Sequence, residues 1–125
     1  MAVSSPKIIV KQSIQWTPAS GESILGTVAE TFIQQGTAAI EKTQNFTATT
    51  SKLDLGDVAG DKYLMVRNTD TTNTLYVDVA TPVVPSAAPH KIPPGKGIMV
   101  LTAQDNWYAI TSAGTIQAVI TSVNP

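Results

Sequence analysis

Apolar and polar residues alternate with a period of two along much of the chain. In residues 7–16, one face is formed by four apolar side chains, namely Ile8, Val10, Ile14 and Trp16. Such alternation is typical of strands that bury one face. The pattern predicts strands at residues 7–16, 37–49, 62–68, 74–80, 98–103, 107–111 and 115–123.

Residues 22–35 fit two patterns. A helical stripe would be formed by Ile24, Leu25, Val28 and Phe32, with Gly36 just past the helix end. Against a helix, Gly26 and Thr27 lie in the middle of the segment, and its second half is rich in Thr, Val, Phe and Ile. We favour a strand at residues 27–34, and the helix stays the alternative.

Turn residues separate these segments. Asp70 and Asn73 bracket a tight turn, which predicts that residues 62–68 and 74–80 form a hairpin. Residues 81–94 contain five of the eight prolines and are expected to form a loop or at best an edge strand. Residues 94–97 read as a turn. Residues 51–61 read as a connection with Leu53, Leu55 and Val58 turned inward.

Seven or eight short strands at intervals of about 8–12 residues predict an all-β fold, either an antiparallel sandwich or a barrel. A chain of 125 residues is about one domain long. We predict a single β-sandwich domain over residues 7–125, preceded by a free or partner-bound arm at residues 1–6.

The charge content limits the possible partners. The net charge is −1, only 14% of residues are charged, and 42% are hydrophobic. Binding to a phosphate backbone needs clustered positive charge, so nucleic acid and membrane surfaces are not expected as partners. The low charge favours a surface that neighbouring subunits cover. We expect no membrane span and no secretory signal, and therefore synthesis in the cytoplasm.

Few residues offer catalytic or metal-binding chemistry. The one histidine, His90, lies in the proline-rich loop and is expected to be solvated, and nearby Ser86 lacks a nucleophile-elbow context. The chain has no cysteine, so a zinc site lacks ligands. The cluster Asp54, Asp57 and Asp61 does not have the spacing of a calcium-binding loop.

Other candidate chemistry is equally weak. The three glutamates, Glu22, Glu30 and Glu41, have no evident partner for two-carboxylate chemistry. The segment 95–97 lacks the spacing of a phosphate-binding loop. A sugar-binding platform could be formed by the aromatic residues Trp107, Tyr108, Tyr63 and Tyr76, although core packing is the more common use of such residues. We therefore predict that the protein is not an enzyme and has no catalytic, cofactor or metal site.

The second half of the chain has a particular layout of motifs. It consists of a lead-in at residues 53–58, the strand at 63–68 that ends in Asn68-x-Asp70-x-x-Asn73, the strand at 75–77, and the turn at 92–95. In this layout the chain resembles small structural proteins of tailed-bacteriophage virions. The resemblance covers residues 50–125. It implies a jelly-roll-like sandwich that decorates heads or builds necks and tails.

The resemblance and the low charge together predict a structural role in the virion. The expected function is capsid decoration by a symmetric homo-oligomer, a trimer or a ring, that binds the major capsid protein or other virion proteins. The alternatives are a neck, tail or fibre-adaptor protein, and a carbohydrate- or receptor-binding module. A buried Trp107 would favour the structural role, and an exposed Trp107 would favour binding.

Overall fold

The computed structural model describes residues 7–16, 24–33 and 38–125, and these residues form antiparallel strands and loops with no helix. The strands are β1 (Lys7–Trp16), β2 (Ile24–Ile33), β3 (Ala39–Phe46), β4 (Ser51–Lys52), β5 (Lys62–Asn68), β6 (Leu75–Asp78), β7 (His90–Ile92), β8 (Gly97–Thr102), β9 (Tyr108–Thr111) and β10 (Ile116–Val123). The chain divides into two compact units, one of Met1–Gln35 with Pro125 and one of Gly36–Asn124.

The first unit is an antiparallel pair of β1 and β2. Its register runs from Lys7 opposite Ile33 to Trp16 opposite Ile24. The strand predicted at residues 7–16 is confirmed, and residues 22–35 contain a strand, so the helical alternative is wrong. This strand begins at Ile24 rather than at residue 27, because each residue of β1 has a cross-strand partner. The predicted arm at residues 1–6 lies outside the described residues.

The second unit consists of two four-stranded antiparallel sheets. The first sheet has the strand order β3-β10-β5-β8, and the second has the order β4-β9-β6-β7. Along the chain, successive strands alternate between the two sheets, except for β6 and β7, which pair directly. Most connections therefore cross from one sheet to the other.

The core of this unit is built from inward-facing positions of both sheets. Strand β10 shows the rule, because its burial alternates residue by residue. The loop residues Leu53, Leu55 and Val58 are buried as predicted. The core cluster consists of Phe46, Leu53, Leu55, Leu64, Val66, Leu75, Val77, Ile92, Trp107, Ala109, Ile116, Ala118 and Ile120.

The all-β, antiparallel, sandwich-like architecture is confirmed, but the strand count is not. The described chain has ten strands in three sheets rather than seven or eight in one sandwich. The two additional strands are β4, of two residues in a segment predicted as a connection, and β7, of three residues in the segment predicted as a loop or at best an edge strand. Strands this short are below the length at which alternation can be read. The single domain over residues 7–125 stays a prediction.

The predicted hairpin of residues 62–68 and 74–80 is wrong, because β5 and β6 belong to different sheets. The cause is the fully buried side chain of Asn68. Its amide nitrogen donates to the carbonyl oxygens of Asn73 (2.8 Å) and Ile92 (3.0 Å), and its oxygen accepts from the N–H of Asp70 (2.9 Å). These bonds fasten the end of β5 to the turn and to Ile92 of β7 in the second sheet, so the chain crosses between the sheets at this corner.

A turn at Pro93 leads into β8. The N–H of Lys96 donates to the carbonyl of Pro93 (3.1 Å), and Gly95 has a φ of 73°, which suits the third position of a type II turn. Gly95 also donates to the carbonyl of Asn68, whose N–H donates to Lys96. Gly95 and Lys96 thus lie opposite the single residue Asn68. This arrangement is a β-bulge with glycine at its first position. The bulge sets the direction in which β8 leaves the corner.

Candidate interaction surface

The structure separates the four aromatic residues predicted to form a binding platform. Trp107 is buried, with 5% of its surface exposed, and its ring nitrogen donates to the carbonyl of Gln104 (3.0 Å). Tyr63 lies on the outer face of the first sheet, whereas Tyr76 and Tyr108 share the outer face of the second sheet. A platform of all four residues is therefore not assembled.

The predicted solvated histidine is not in a loop. His90 begins β7 and is half-buried, and its ring centroid lies 5.8 Å from that of Trp107. The expectation of a solvated loop side chain is wrong, because the residue occupies an inward-facing strand position opposite Val77. Ser86 is exposed in the loop before β7. The two residues contribute to packing and to a loop surface, respectively.

The aspartates of the loop before β5 are used in different ways. Asp54 accepts from Lys42 Nζ (2.9 Å) and from the N–H of Gly56 (2.9 Å). The hydrogen bond from Lys42 Nζ and, to a smaller extent, the one from the N–H of Gly56 lower the pKa of Asp54 below its ordinary value. Asp57 and Asp61 are exposed. Within the described ranges, no group of three or more His, Cys, Asp or Glu residues is placed to hold a metal ion.

The glutamates do not form a described pair. Glu41 is exposed in β3, while Glu22 and the side chain of Glu30 lie outside the described residues. Gly95 and Lys96 form the bulge at the turn that precedes β8, and Gly97 is the first residue of that strand. The N–H groups of Gly95 and Lys96 are thus committed to the corner of the fold.

Sequence reasoning missed the buried lysine Lys62. Its side chain is fully buried, and its ammonium donates to the carbonyls of Gly60 (2.6 Å) and Gln104 (3.0 Å) and to Asp105 Oδ1 (2.9 Å). All three ammonium donors are matched. The alternation along the sequence indicates this burial, because Lys62 lies two residues before the inward-facing Leu64 and therefore on the same face of β5. The cluster ties together the loops that precede β5 and β9.

Asp105 completes this cluster at the protein surface. Its carboxylate also accepts from the N–H of Gly60 (2.8 Å). The hydrogen bond from Lys62, together with that from Gly60, lowers the pKa of Asp105 below its ordinary value. The arrangement holds an ion pair in place and fixes the ends of two loops.

The outer faces of the two sheets differ in chemistry. The face of the second sheet is polar and charged and carries Tyr76, Tyr108, Ile110, Lys52, Asp78 and Lys91. The face of the first sheet is apolar where β5 meets β8. There Met65 is 38% exposed and lies opposite Met99, and Leu101 is 64% exposed and lies opposite Tyr63. We define the β8 edge as strand β8 with Tyr63 and Met65.

The backbone of β8 has an open side. Among the described residues, β8 pairs with β5 alone. The N–H of Asn68 in β5 donates to the carbonyl of Lys96, just before β8. In an antiparallel ladder every second residue directs its backbone groups to the same neighbouring strand, so Ile98 and Val100 direct theirs toward β5. Met99 and Leu101 direct theirs away from β5. The β8 edge therefore offers apolar side chains together with backbone groups that no described strand pairs.

Strand β8 also lacks the usual protection of an edge. Its sequence, GIMVLT, contains neither charge nor proline. Edges of this kind are templates for the addition of a strand from another chain. The β8 edge is therefore the candidate interaction surface of this protein.

Comparison of the chain with protein-family models, with curated proteins and with solved structures gives no match. A helix long and apolar enough to cross a membrane is not found among the residues that the structure describes.

Proposed function

We propose that this protein is a non-enzymatic structural component of a tailed-bacteriophage virion, namely a decoration protein that binds the head as a symmetric oligomer. The observation that carries the proposal is the strand order of the second unit. In this proposal the protein is made in the host cytoplasm and ends in the virion. Its partners are further copies of itself and the major capsid protein or other virion proteins.

The strand order supports a jelly roll. In the sheets β3-β10-β5-β8 and β4-β9-β6-β7, the first strand β3 pairs with the last strand β10, and successive strands alternate between sheets except at the β6–β7 pair. A jelly roll has eight strands in two such sheets, and viral capsid domains are among the proteins that use it. In this interpretation β3 to β10 form the jelly roll, and the β1–β2 pair is an addition to it.

The filled core supports a structural role over the other uses of this fold. Lectins and cupins also use jelly rolls, and a cupin holds its ligand between the sheets. Here that space is filled by side chains such as Phe46, Leu75 and Ile116, none of which is exposed. Trp107 is buried against this core as well. Burial of Trp107 is the outcome that was expected to favour the structural role over the binding module.

The surface supports assembly. An exposed apolar patch on a chain with only 14% charged residues is a common mark of a protein–protein contact. The β8 edge supplies that patch together with open backbone groups. A neck, tail or fibre adaptor would use the same features, so the place of binding on the virion separates these alternatives.

A carbohydrate- or receptor-binding module is the second candidate. It is favoured by the outer face of the second sheet, where Tyr76 lies opposite Ile110 and diagonal to Tyr108. Both tyrosines are half-buried, and Lys52 and Lys91 flank them. Aromatic rings beside polar groups are suited to stacking on a sugar.

Binding to particles tests the proposal. The purified protein is mixed with expanded heads, with tails and with host envelope from the same phage system, and co-sedimentation is measured. We expect saturable binding to heads that a Tyr76→Ala, Tyr108→Ala double variant retains. Binding to tails alone would contradict head decoration and favour the adaptor alternative. Binding to the envelope alone, lost in the double variant, would overturn the structural role and favour the binding module.

A further inference from the structure

We infer that strand β8 pairs antiparallel with strand β8 of a second copy, across a two-fold axis at Met99. The inference rests on the proposed assembly role and names the surface that serves it, with a two-fold dimer in place of the trimer or ring expected from the sequence. Pairing of this kind would join two four-stranded sheets into one sheet of eight strands. The features that favour a second copy are the backbone alternation, the order of side chains and the lack of charge.

The backbone is suited to a two-fold pair centred on Met99. Gly97, Met99 and Leu101 direct their N–H and C=O groups to the open side of β8, by the alternation set at Asn68. With Met99 on the axis, Met99 exchanges hydrogen bonds with its own copy. Gly97 then lies opposite Leu101 of the second copy, and Leu101 opposite Gly97. All outward backbone groups of the strand are paired in this register.

The side chains of β8 are self-complementary in this register. Leu101 is the most exposed of the large apolar residues described, at 64%. Gly97, at the mirrored position, has no side chain and leaves space for it. A Cβ at Gly97 would meet the carbonyl oxygen of Val66 at 3.1 Å, so close approach of β8 to β5 also requires glycine here. A protruding residue thus faces an empty position on each side of the axis.

The neighbouring strand extends this fit. Arg67 lies opposite Gly97, and Tyr63 lies opposite Leu101. One row of outer-face residues would therefore run across the joined sheet from one copy to the other. It would consist of Tyr63 and Leu101 of the first copy, followed by Gly97 and Arg67 of the second copy. The aliphatic stem of Arg67 can cover the second copy's Leu101 across the glycine. A second apolar row would be formed by Met65 and Met99 of each copy.

The charge pattern favours self-association. An isologous contact presents the same patch on both copies, so a strand carrying several like charges would face like charge. Residues Gly97–Thr102 contain no charge, and the nearest charges along the chain, Lys96 and Asp105, lie beyond its two ends. On the neighbouring strand the charged residue is Arg67, which lies opposite Gly97 and therefore away from the axis at Met99. Strands that remain single at a sheet edge commonly carry lysine, proline or a bulge within them, and β8 has none of these.

The size of the contact sets the expected strength. A strand of six residues with its neighbours buries less than the roughly 800 Å² per partner of a standard interface. We therefore expect a dimer that depends on protein concentration in solution. Binding side by side on a particle would raise the local concentration and favour the pair.

Single cysteines test the register. The chain has no cysteine, so any disulfide in a one-cysteine variant joins two copies. In the inferred pair the two residues 99 are about 5.5 Å apart between Cα atoms, within the range of a disulfide. Met99→Cys should therefore form a covalent dimer under mild oxidation. Leu101→Cys should not, because the two residues 101 would be about 13 Å apart along the strands.

A control and a disruptive variant complete the experiment. Thr43→Cys, exposed on β3, should stay uncrosslinked. Met99→Lys should halve the mass measured by light scattering at a concentration where the unaltered protein is a dimer, without lowering its melting temperature. Equal cross-linking of all three cysteine variants, a dimer that persists in Met99→Lys, or an unaltered protein that is a monomer, trimer or ring would each overturn the inference.

Head binding distinguishes this inference from the proposed function. A monomer that binds heads would overturn the β8 pair and leave head decoration standing. A dimer through β8 that binds no part of the virion would support the pair and contradict the virion role.

Discussion

The two edge strands of the first sheet differ in how their open sides are treated. Beside β3, Gln44 donates to the carbonyl of Lys52 (2.8 Å) and accepts from the N–H of Asp54 (2.9 Å), and Lys42 pairs with Asp54. The chain thus covers β3 with its own next segment. The side chains at the open side of β8 are apolar, and among the described residues β8 has no strand beyond it.

This difference teaches that one sheet can close one edge and leave the other available. Long polar side chains of β3 bind the backbone of the following segment at Lys52 and Asp54, and this holds that segment beside β3. Among the residues that the structure describes, strand β8 is instead paired on its inner side alone, by β5. Its start is held at the Asn68 corner, and the loop after its end is held by the buried Lys62. The fold therefore positions β8 firmly and still leaves its outer side open.

Asn68→Ala should have the largest effect on the fold. The change removes three side-chain hydrogen bonds from a fully buried site and leaves the carbonyls of Asn73 and Ile92 with fewer donors. We expect a loss of about 3 kcal/mol in the free energy of unfolding, measured by urea denaturation. The matched control is Asn45→Ala, at an exposed position of β3, which should change the stability by less than about 0.5 kcal/mol. Equal effects of the two variants would contradict the role of the corner.

Gln44→Ala should uncover the β3 edge. The change removes one donor and one acceptor that bind the backbone at Lys52 and Asp54. We expect a loss of about 1–2 kcal/mol in the free energy of unfolding. We also expect more aggregation in light scattering, because a second edge becomes open. The neighbouring exposed Thr43→Ala is the control. An unchanged stability in Gln44→Ala would show that its bonds do not protect this edge.

Acid should weaken the contacts beside β3 and at the end of β8 together. The pKa values of Asp54 and Asp105 are lowered by the hydrogen bonds from Lys42 and Lys62. A carboxyl group with a lowered pKa stabilises the fold above its unfolded pKa, near 3.8, and loses that contribution as the pH falls through the folded value. The melting temperature should therefore be flat from pH 7 to about pH 5 and fall below about pH 4.

The double variant Asp54→Asn, Asp105→Asn sharpens the acid test. It removes both titrations, so its melting temperature should depend less on pH below about pH 4 than that of the unaltered protein. An equally steep fall in the variant would assign the acid sensitivity to other carboxyl groups. Asp70 is one such group, because the backbone N–H groups of Asn73 and Thr72 lower its pKa.

Leu101→Thr should have the smallest effect on the isolated chain. The side chain is 64% exposed, so its replacement should change the free energy of unfolding by less than about 0.5 kcal/mol. By contrast, Leu64→Ala, in the neighbouring strand and fully buried, should cost about 2–5 kcal/mol. Calorimetry of the two variants measures both values. A large loss in Leu101→Thr would show that Leu101 packs within its own chain.

The alternation of apolar and polar residues identified the strands well. The bounds of β1 and β5 agree with those predicted, and the inward turn of Leu53, Leu55 and Val58 was expected. These features depend on neighbours one to four residues apart, because a strand turns successive side chains to opposite faces. The proline-rich segment was likewise expected to form at most an edge strand, and β7 is one.

The candidate site was harder to predict. The sequence drew attention to His90, Trp107 and the tyrosines, which the structure uses in the core or separates between two faces. The exposed position of Leu101 could not be predicted, because a period of two shows which residues share a face but not which strands lie at an edge. The burial of Lys62 depends on acceptors more than 40 residues away.

The sequence by itself determined that this protein is all-β and where most of its strands lie. The tertiary structure alone decided which strands pair. A turn at residues 70–73 fits a hairpin equally well as a crossing between sheets, and the buried Asn68 decides between them through a bond to Ile92, 24 residues away. The open side of β8 is likewise decided by the tertiary structure, because the strand order places β8 at the end of the first sheet. Strand order is a property of contacts between distant segments, whereas hydrophobic alternation records only the contact of each strand with the core.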